Sequence, residues 1–250
     1  MQQRRRRTVA SICFLVVIAG SAAYTVWSRH QTEVTTASQH AAIAASEAKS
    51  DTALHALSTL AIKGRAPKTG YTRAQFSDGW QDLGHCNVRD YILGRDLVDV
   101  QLKSATDCAV VSGVLHDPYT GKTIQFVRGP TTSSKVQIDH VVAISDAWQK
   151  GAQQLSKDER YKLANDPLEL LAVDGPTNNN KSDGDAATWL PPNKAYRCQY
   201  VARQIAVKQA YRLWITQAEH DAMTSVLATC SDQKLPVATN LNLANNKSMN

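Results

Sequence analysis

Along this chain the apolar positions fall into blocks whose spacing separates helices from strands. The first, Thr8–Ser28, holds no charged residue and follows the basic run Arg4–Arg7. Its length suits a helix crossing a bilayer, with the arginines left on the cytoplasmic side. Ser21, Ala22 and Ala23 are small enough to form a signal-peptidase site, so a cleaved signal and an uncleaved anchor both fit. The apolar run continues through Val26-Trp27, which favours the anchor. Either alternative exports the remainder of the chain. Residues 29–52 are polar and Ala-rich and read as a tether. A short amphipathic helix is expected over Ala53–Ile62, and GRAPKTG at Gly64–Gly70 reads as a loop.

Val88, Tyr91, Ile92 and Leu97 recur at near-helical spacing, which predicts a helix over Asn87–Val100. Asp107–Leu115 and Thr123–Val127 are β-rich and flank the turn Asp117-Pro118-Tyr119-Thr120-Gly121, giving a hairpin. Val136–Ile144 comes next as a buried strand, with Asp139 and His140 set among β-branched neighbours. Adjacent strand residues point to opposite faces, so a kink is expected near His140. Ser145 is placed to cap a short helix. Ser156-Lys157-Asp158-Glu159 is a capping box that opens another, ended by Asn165-Asp166-Pro167. Leu168–Val173 is the partner strand, stopped by Asp174-Gly175-Pro176, and a helix is expected to start among Asn178, Asn179, Asn180 and Lys181. Asn193 caps a long helix to about Trp214, and Thr216-Gln217-Ala218-Glu219 opens another to Leu227. So short a turn packs these two antiparallel. Residues 231–250 are polar and Asn-rich and read as a disordered tail.

A hydrophobic fraction of 43% supports a packed core and excludes general disorder. A net charge of +6 and a pI near 9.1 favour an anionic partner, nucleic acid or anionic lipid. Of the five cysteines, Cys13 lies in the apolar segment, and the other four show no CxxC spacing. That argues against a zinc knuckle, and an even number in an exported domain reads as two disulfides. Spacing alone does not fix the pairs. The helical hairpin brings Cys198 and Cys230 to one end at ~1.5 Å rise per residue, which favours pairing Cys198 with Cys230 and Cys86 with Cys108.

Chemically useful side chains are densest between Val136 and Asp185. Asp139-His140, then AVDGPTNNNKSDGD at Ala172–Asp185, then TWLPP at Thr188–Pro192 occur in order. GRAPKTGY at Gly64–Tyr71, the pairs Arg89-Asp90 and Arg95-Asp96, and HDPYTGK at His116–Lys122 precede them. This series, spanning about Gly64 to Cys230, resembles the HNH (ββα-metal) endonucleases, in particular exported proteins related to the C-terminal domain of GmrSD-type restriction enzymes.

The resemblance implies that His140 is the general base acting on water, while Asp139 and Asn178 hold one divalent ion. Mg²⁺ is the first choice, with Mn²⁺ and Zn²⁺ as alternatives. It implies hydrolysis of DNA, with RNA left open, to 5′-phosphate and 3′-hydroxyl ends. The residue types suit that chemistry, since an imidazole titrates near neutral pH and paired protein oxygens suit Mg²⁺. The family's middle Asn position falls on Glu169, where a carboxylate would orient His140 or join the metal shell. Asn165 is then the candidate for the amide that braces the loop. Lys181, Arg89 and Arg128 are candidate phosphate contacts. Arg95 reads rather as the partner of Asp96, and Trp148, Trp189 and Trp214 as core.

These readings predict a disulfide-braced α+β fold: a ββα-metal core, an added β-hairpin and a C-terminal helical hairpin over 53–230. A signal-anchor or signal peptide at 1–28, a tether at 29–52 and a tail at 231–250 flank it. The protein is expected to be a monomer without a small-molecule cofactor, touching a membrane through residues 8–28 if that segment is uncleaved. Two rival readings are a non-catalytic binder of nucleic acid or anionic polymer, and a structural envelope protein.

Overall fold

The computed structural model describes residues 51–104 and 106–236, together with Arg29. The apolar segment 8–28, the rest of the tether to residue 50 and residues 237–250 lie outside the described residues, as do the expectations for them. Among the described residues no helix is long and apolar enough to cross a membrane.

The fold is α+β. It opens with α1 (Ala53–Ser58), whose first turn is closed by the Thr52 hydroxyl accepting from the His55 amide at 3.2 Å. Next come α2 (Val88–Asp96), β1 (Leu97–Ser104), β2 (Asp107–His116) and β3 (Thr123–Val127). The strands form an antiparallel three-stranded sheet in the order β1-β2-β3, where the sequence predicted a hairpin preceded by helix. The helix stops at Asp96 because Leu97 turns extended (φ −94°, ψ 152°). From there the chain pairs antiparallel with β2, Leu97 opposite Leu115 and Val98 opposite Val114.

The central pair is β4 (Val136–His140) against β5 (Leu170–Asp174), antiparallel, with Asp139 opposite Leu171 and His140 opposite Leu170. Both strands are buried on both faces. Val136, Ile138, Leu170 and Ala172 pack towards α2 and the three-stranded sheet, in a cluster with Ile92, Leu93 and Phe126. Leu171 and Val173 pack the other way, with Tyr119, Tyr200, Ile205 and Met223. The strand ends at His140, and α3 (Ile144–Gln149) begins four residues on, so the expected kink is a bend at Val141-Val142. Ser145 lies inside α3 rather than capping it. α4 (Lys157–Asn165) carries the full Ser156–Glu159 capping box.

Directly after β5, α5 (Gly175–Lys181) is capped by Asp174, whose carboxylate accepts from the Thr177 amide at 2.9 Å. It therefore starts three residues before the asparagine run. At Gly175 a Cβ would sit 2.0 Å from the Ser134 carbonyl, so only glycine allows β5 to turn into α5 against that backbone. α6 (Arg197–Ala210) and α7 (Gln217–Leu227) form the helical hairpin, with α6 ending before Arg212, whose φ is +53°. Thr216 caps α7, but Glu219 does not complete the box: its carboxylate is buried against Lys150 and Lys208 at 2.6 and 2.8 Å. Disulfides join Cys86 to Cys108 and Cys198 to Cys230, tying the segment before α2 to β2 and the start of α6 to the end of the hairpin.

Candidate active site

Strand β4 sends Asp139 and His140 to opposite faces, yet both reach one open groove of about 520 Å³ at the end of the strand. Gln137 with Asn178 and Asn179 of α5 lines it, as do Lys68, Tyr71 and Arg73. The sequence-predicted trio Asp139, His140 and Asn178 therefore lines a common cleft.

Asp139 is nearly buried and has two partners. Its Oδ1 accepts from the Lys181 ammonium at 2.9 Å, and its Oδ2 accepts from the Tyr119 hydroxyl at 2.5 Å. Lys181 also donates to the His140 carbonyl at 2.8 Å and has no exposed surface. It is thus no surface contact for phosphate, contrary to the expectation from sequence. A carboxylate out of water needs a counter-charge, and the last turn of α5 brings the lysine to it. Burial pushes the Asp139 carboxyl up, against the opposing pull of Lys181 and the Tyr119 hydrogen bond. Burial, and Asp139 beside it, also push the Tyr119 hydroxyl up, so it stays a proton donor.

His140 sits under the indole of Trp80, the rings parallel within 7° and 5.8 Å apart. Its Nε2 lies 3.0 Å from the Ala164 carbonyl. A carbonyl only accepts, so Nε2 carries the hydrogen and the lone pair of the neutral ring is on Nδ1. Burial lowers the imidazole from 6.5 to about 3, which keeps it neutral. Asn165 at the end of α4 accepts from the Gln81 amide at 2.9 Å and so braces the segment that carries Trp80.

Asn178 lies within α5 rather than at its cap. Its amide nitrogen donates to Gln137 at 2.9 Å, and Gln137 donates to the Asn179 oxygen at 3.3 Å. The Asn178 side-chain oxygen meets no hydrogen-bond donor among the described residues. With the Asp139 carboxylate it makes a pair of hard oxygens on one cleft. Each carboxylate oxygen has two acceptor positions, so Lys181 and Tyr119 do not exhaust Asp139. This donor set fits a hard divalent ion that keeps several waters. Among the described residues no group of three or more His, Cys, Asp or Glu side chains is placed to hold a metal.

Other candidates sit elsewhere. Glu169 has no exposure and does not line the groove; its Oε2 accepts from the Val142 amide at 3.0 Å and braces the turn after β4, instead of orienting the His140 ring. Burial pushes its carboxyl well above the usual range. Arg89 donates to the Ser133 and Val136 carbonyls at 3.3 and 3.0 Å, and Arg128 to Asp90 and to the Val110 carbonyl at 2.6 Å. Both arginines are therefore tied into the fold away from the groove. Arg95 pairs with Asp96 at 2.6 Å. Sequence reasoning missed Tyr119, Trp80, Lys68 and Arg73. Tyr119 and Lys68 lay within stretches that carried the resemblance, HDPYTGK and GRAPKTGY, but read there as turn and loop; Trp80 and Arg73 lie in a segment without a motif.

Residues 87–226 match the family described as GmrSD restriction endonucleases, C-terminal domain. An uncharacterized secreted protein of Arthroderma benhamiae is 39% identical over 181 residues, covering 72% of this chain and 85% of that protein. The matched family span contains β4, β5 and α5 with every residue of the cleft trio. The chain belongs to the family of GmrSD restriction endonuclease C-terminal domains.

Proposed function

We propose that this protein is an exported, metal-dependent endonuclease that hydrolyses DNA phosphodiester bonds in the cleft between β4 and α5. The observation that carries the reading is the 3.0 Å contact of His140 Nε2 with the Ala164 carbonyl, which leaves the ring's lone pair on Nδ1. Held by the Ala164 carbonyl and covered by Trp80, the ring keeps its lone pair on Nδ1, in a cleft that a carboxylate and an unpaired amide oxygen also line. In this reading β4, β5 and α5 form the ββα-metal arrangement, and Nδ1 of His140 takes the proton from the attacking water.

Asp139 and Asn178 would hold one divalent ion, Mg²⁺ in the simplest case, which would polarise the phosphate and stabilise the leaving oxygen. Lys181 supplies the counter-charge to Asp139 and donates to the His140 carbonyl, so the acid and the imidazole stay in register. Arg73 forms no ion pair among the described residues and lines the groove beside His140, ready to meet a phosphate oxygen. Membership in a family named for restriction endonucleases and the net charge of +6 support a nucleic-acid substrate. The disulfides and the secreted relative support export. We assign the catalytic domain to residues 53–230, behind an export segment at 1–28 and a tether.

The test is nicking of supercoiled plasmid by the purified chain. Nicking with Mg²⁺ or Mn²⁺, loss with EDTA and 5′-phosphate at the new ends are expected. Binding of the plasmid without nicking under any divalent ion would leave only a binding module.

A further inference from the structure

The groove does not end at His140. It shares Arg73, His140 and Ile144 with a second hollow of about 120 Å³, which continues over Phe76 to Trp80. That hollow in turn shares Phe76, Ser77, Gly79 and Trp80 with a third, of about 330 Å³, which reaches Lys157 and Tyr161 on α4. The three hollows thus adjoin one another along the Trp80 segment, from the cleft to α4.

Cations and aromatic rings both line this track. Lys68, Arg73 and Lys157 lie along it, and neither Arg73 nor Lys157 forms an ion pair among the described residues. Trp80 is part-exposed and Tyr161 is 38% exposed. Of its acids, Asp183 is paired with Lys68 at 3.2 Å and accepts from Ser145 at 3.1 Å, Asp139 is neutralised by Lys181, and Asp78 lines the far hollow. A duplex keeps its base faces stacked inside and presents phosphates outward, so it makes little use of rings that share a surface with cations. An unpaired strand uses both, the phosphates meeting lysine or arginine and the bases stacking on the rings.

We infer that this track seats a single-stranded stretch of polynucleotide beside the scissile phosphate, its backbone along Lys68, Arg73 and Lys157 and its bases against Trp80 and Tyr161. The inference rests on reading the cleft as a nuclease site and adds the strand state of its substrate. It implies preference for single-stranded, frayed or looped nucleic acid over an intact duplex.

The test measures fluorescence anisotropy of a labelled thymidine 12-mer against a duplex of the same length, with the full chain in EDTA. The single strand should bind at least about tenfold tighter, and three phosphate contacts should give a log–log salt slope of about −2. Tyr161→Ala and Lys157→Glu, both at the α4 surface, should each weaken the strand about fivefold or more and spare the duplex. Trp80→Phe should retain most binding and Trp80→Ala should lose it. Equal affinity for strand and duplex, or single-strand binding unchanged in Tyr161→Ala, would overturn the inference. Binding in EDTA needs no turnover, so the two readings fail separately. Plasmid nicking with no strand preference refutes the track alone; strand preference with no nicking refutes hydrolysis alone.

Discussion

Replacing His140 with alanine should lower the rate of plasmid nicking by about 10²–10⁴-fold, the usual contribution of a positioned general base. The substitution removes the imidazole that Ala164 and Trp80 hold, and among the described residues no other histidine lines the cleft. Binding of nucleic acid in EDTA should change little, because the cations of the groove lie on other segments. The readout is the initial nicking rate at saturating Mg²⁺, with the unfolding midpoint recorded beside it. A rate within a few-fold of the parent, in a folded variant, would remove His140 from the chemistry.

The largest effect on stability should come from Lys150→Met, outside the cleft. The Lys150 ammonium has no exposure and lies 2.9 Å from Asp146, 2.7 Å from Asp185 and 2.6 Å from Glu219. Lys208 and Arg65 complete the cluster: Lys208 is 2.8 Å from Glu219, and Arg65 is 2.7 Å from Asp146 and 2.9 Å from Asp185. Three cations thus balance three carboxylates and bind α3, α6, α7 and the loop after α5 to one another. Removing the central cation strands buried negative charge, at a cost of about 3–5 kcal/mol. The unfolding midpoint should fall by roughly 6–20 °C at about 2–4 °C per kcal/mol.

The pH dependence comes from the same groups. Burial alone would push the Asp185 carboxyl up, but the hydrogen bond and charge of Lys150, with Arg65, outweigh it and hold the group well below its ordinary value of 3.8. A depressed carboxylate contributes stability that is present above the ordinary value and is lost as pH falls below it. In Lys150→Met the stranded carboxylates would instead take up protons readily. The deficit against the parent should therefore narrow between pH 7 and pH 4.5. Urea unfolding at both values measures it, and a deficit under about 1 kcal/mol at pH 7 would contradict this account of the cluster.

Much of the scaffold was legible because its signals are local. The β-branched run around Ile138, the Ser156–Glu159 capping box and the Asp174-Gly175-Pro176 stop each act within a few residues. β1 was not legible, since Leu97 to Val100 fits the end of the helical pattern as well as the start of a strand. The start of α5 was misplaced because three asparagines offered caps, while Asp174 four residues before them had the better geometry with Pro176 in the first turn.

Within the cleft, Asp139, His140 and Asn178 were found from sequence order and resemblance, but their partners were not. Lys181 reaches Asp139 across 42 residues and Tyr119 reaches it across 20, and no short window holds such pairs. Arg89 and Arg128 read as free cations for the same reason: the carbonyls that bind them come together only in the folded chain.

The most direct measurement is Mn²⁺ binding followed by electron paramagnetic resonance in the parent, Asp139→Asn and Asn178→Ala. One bound ion in the parent, with affinity lowered at least about tenfold in each variant, is the expected result. Undiminished Mn²⁺ binding in both variants would contradict a single ion shared by the β4 carboxylate and the α5 amide, and with it the hydrolytic mechanism.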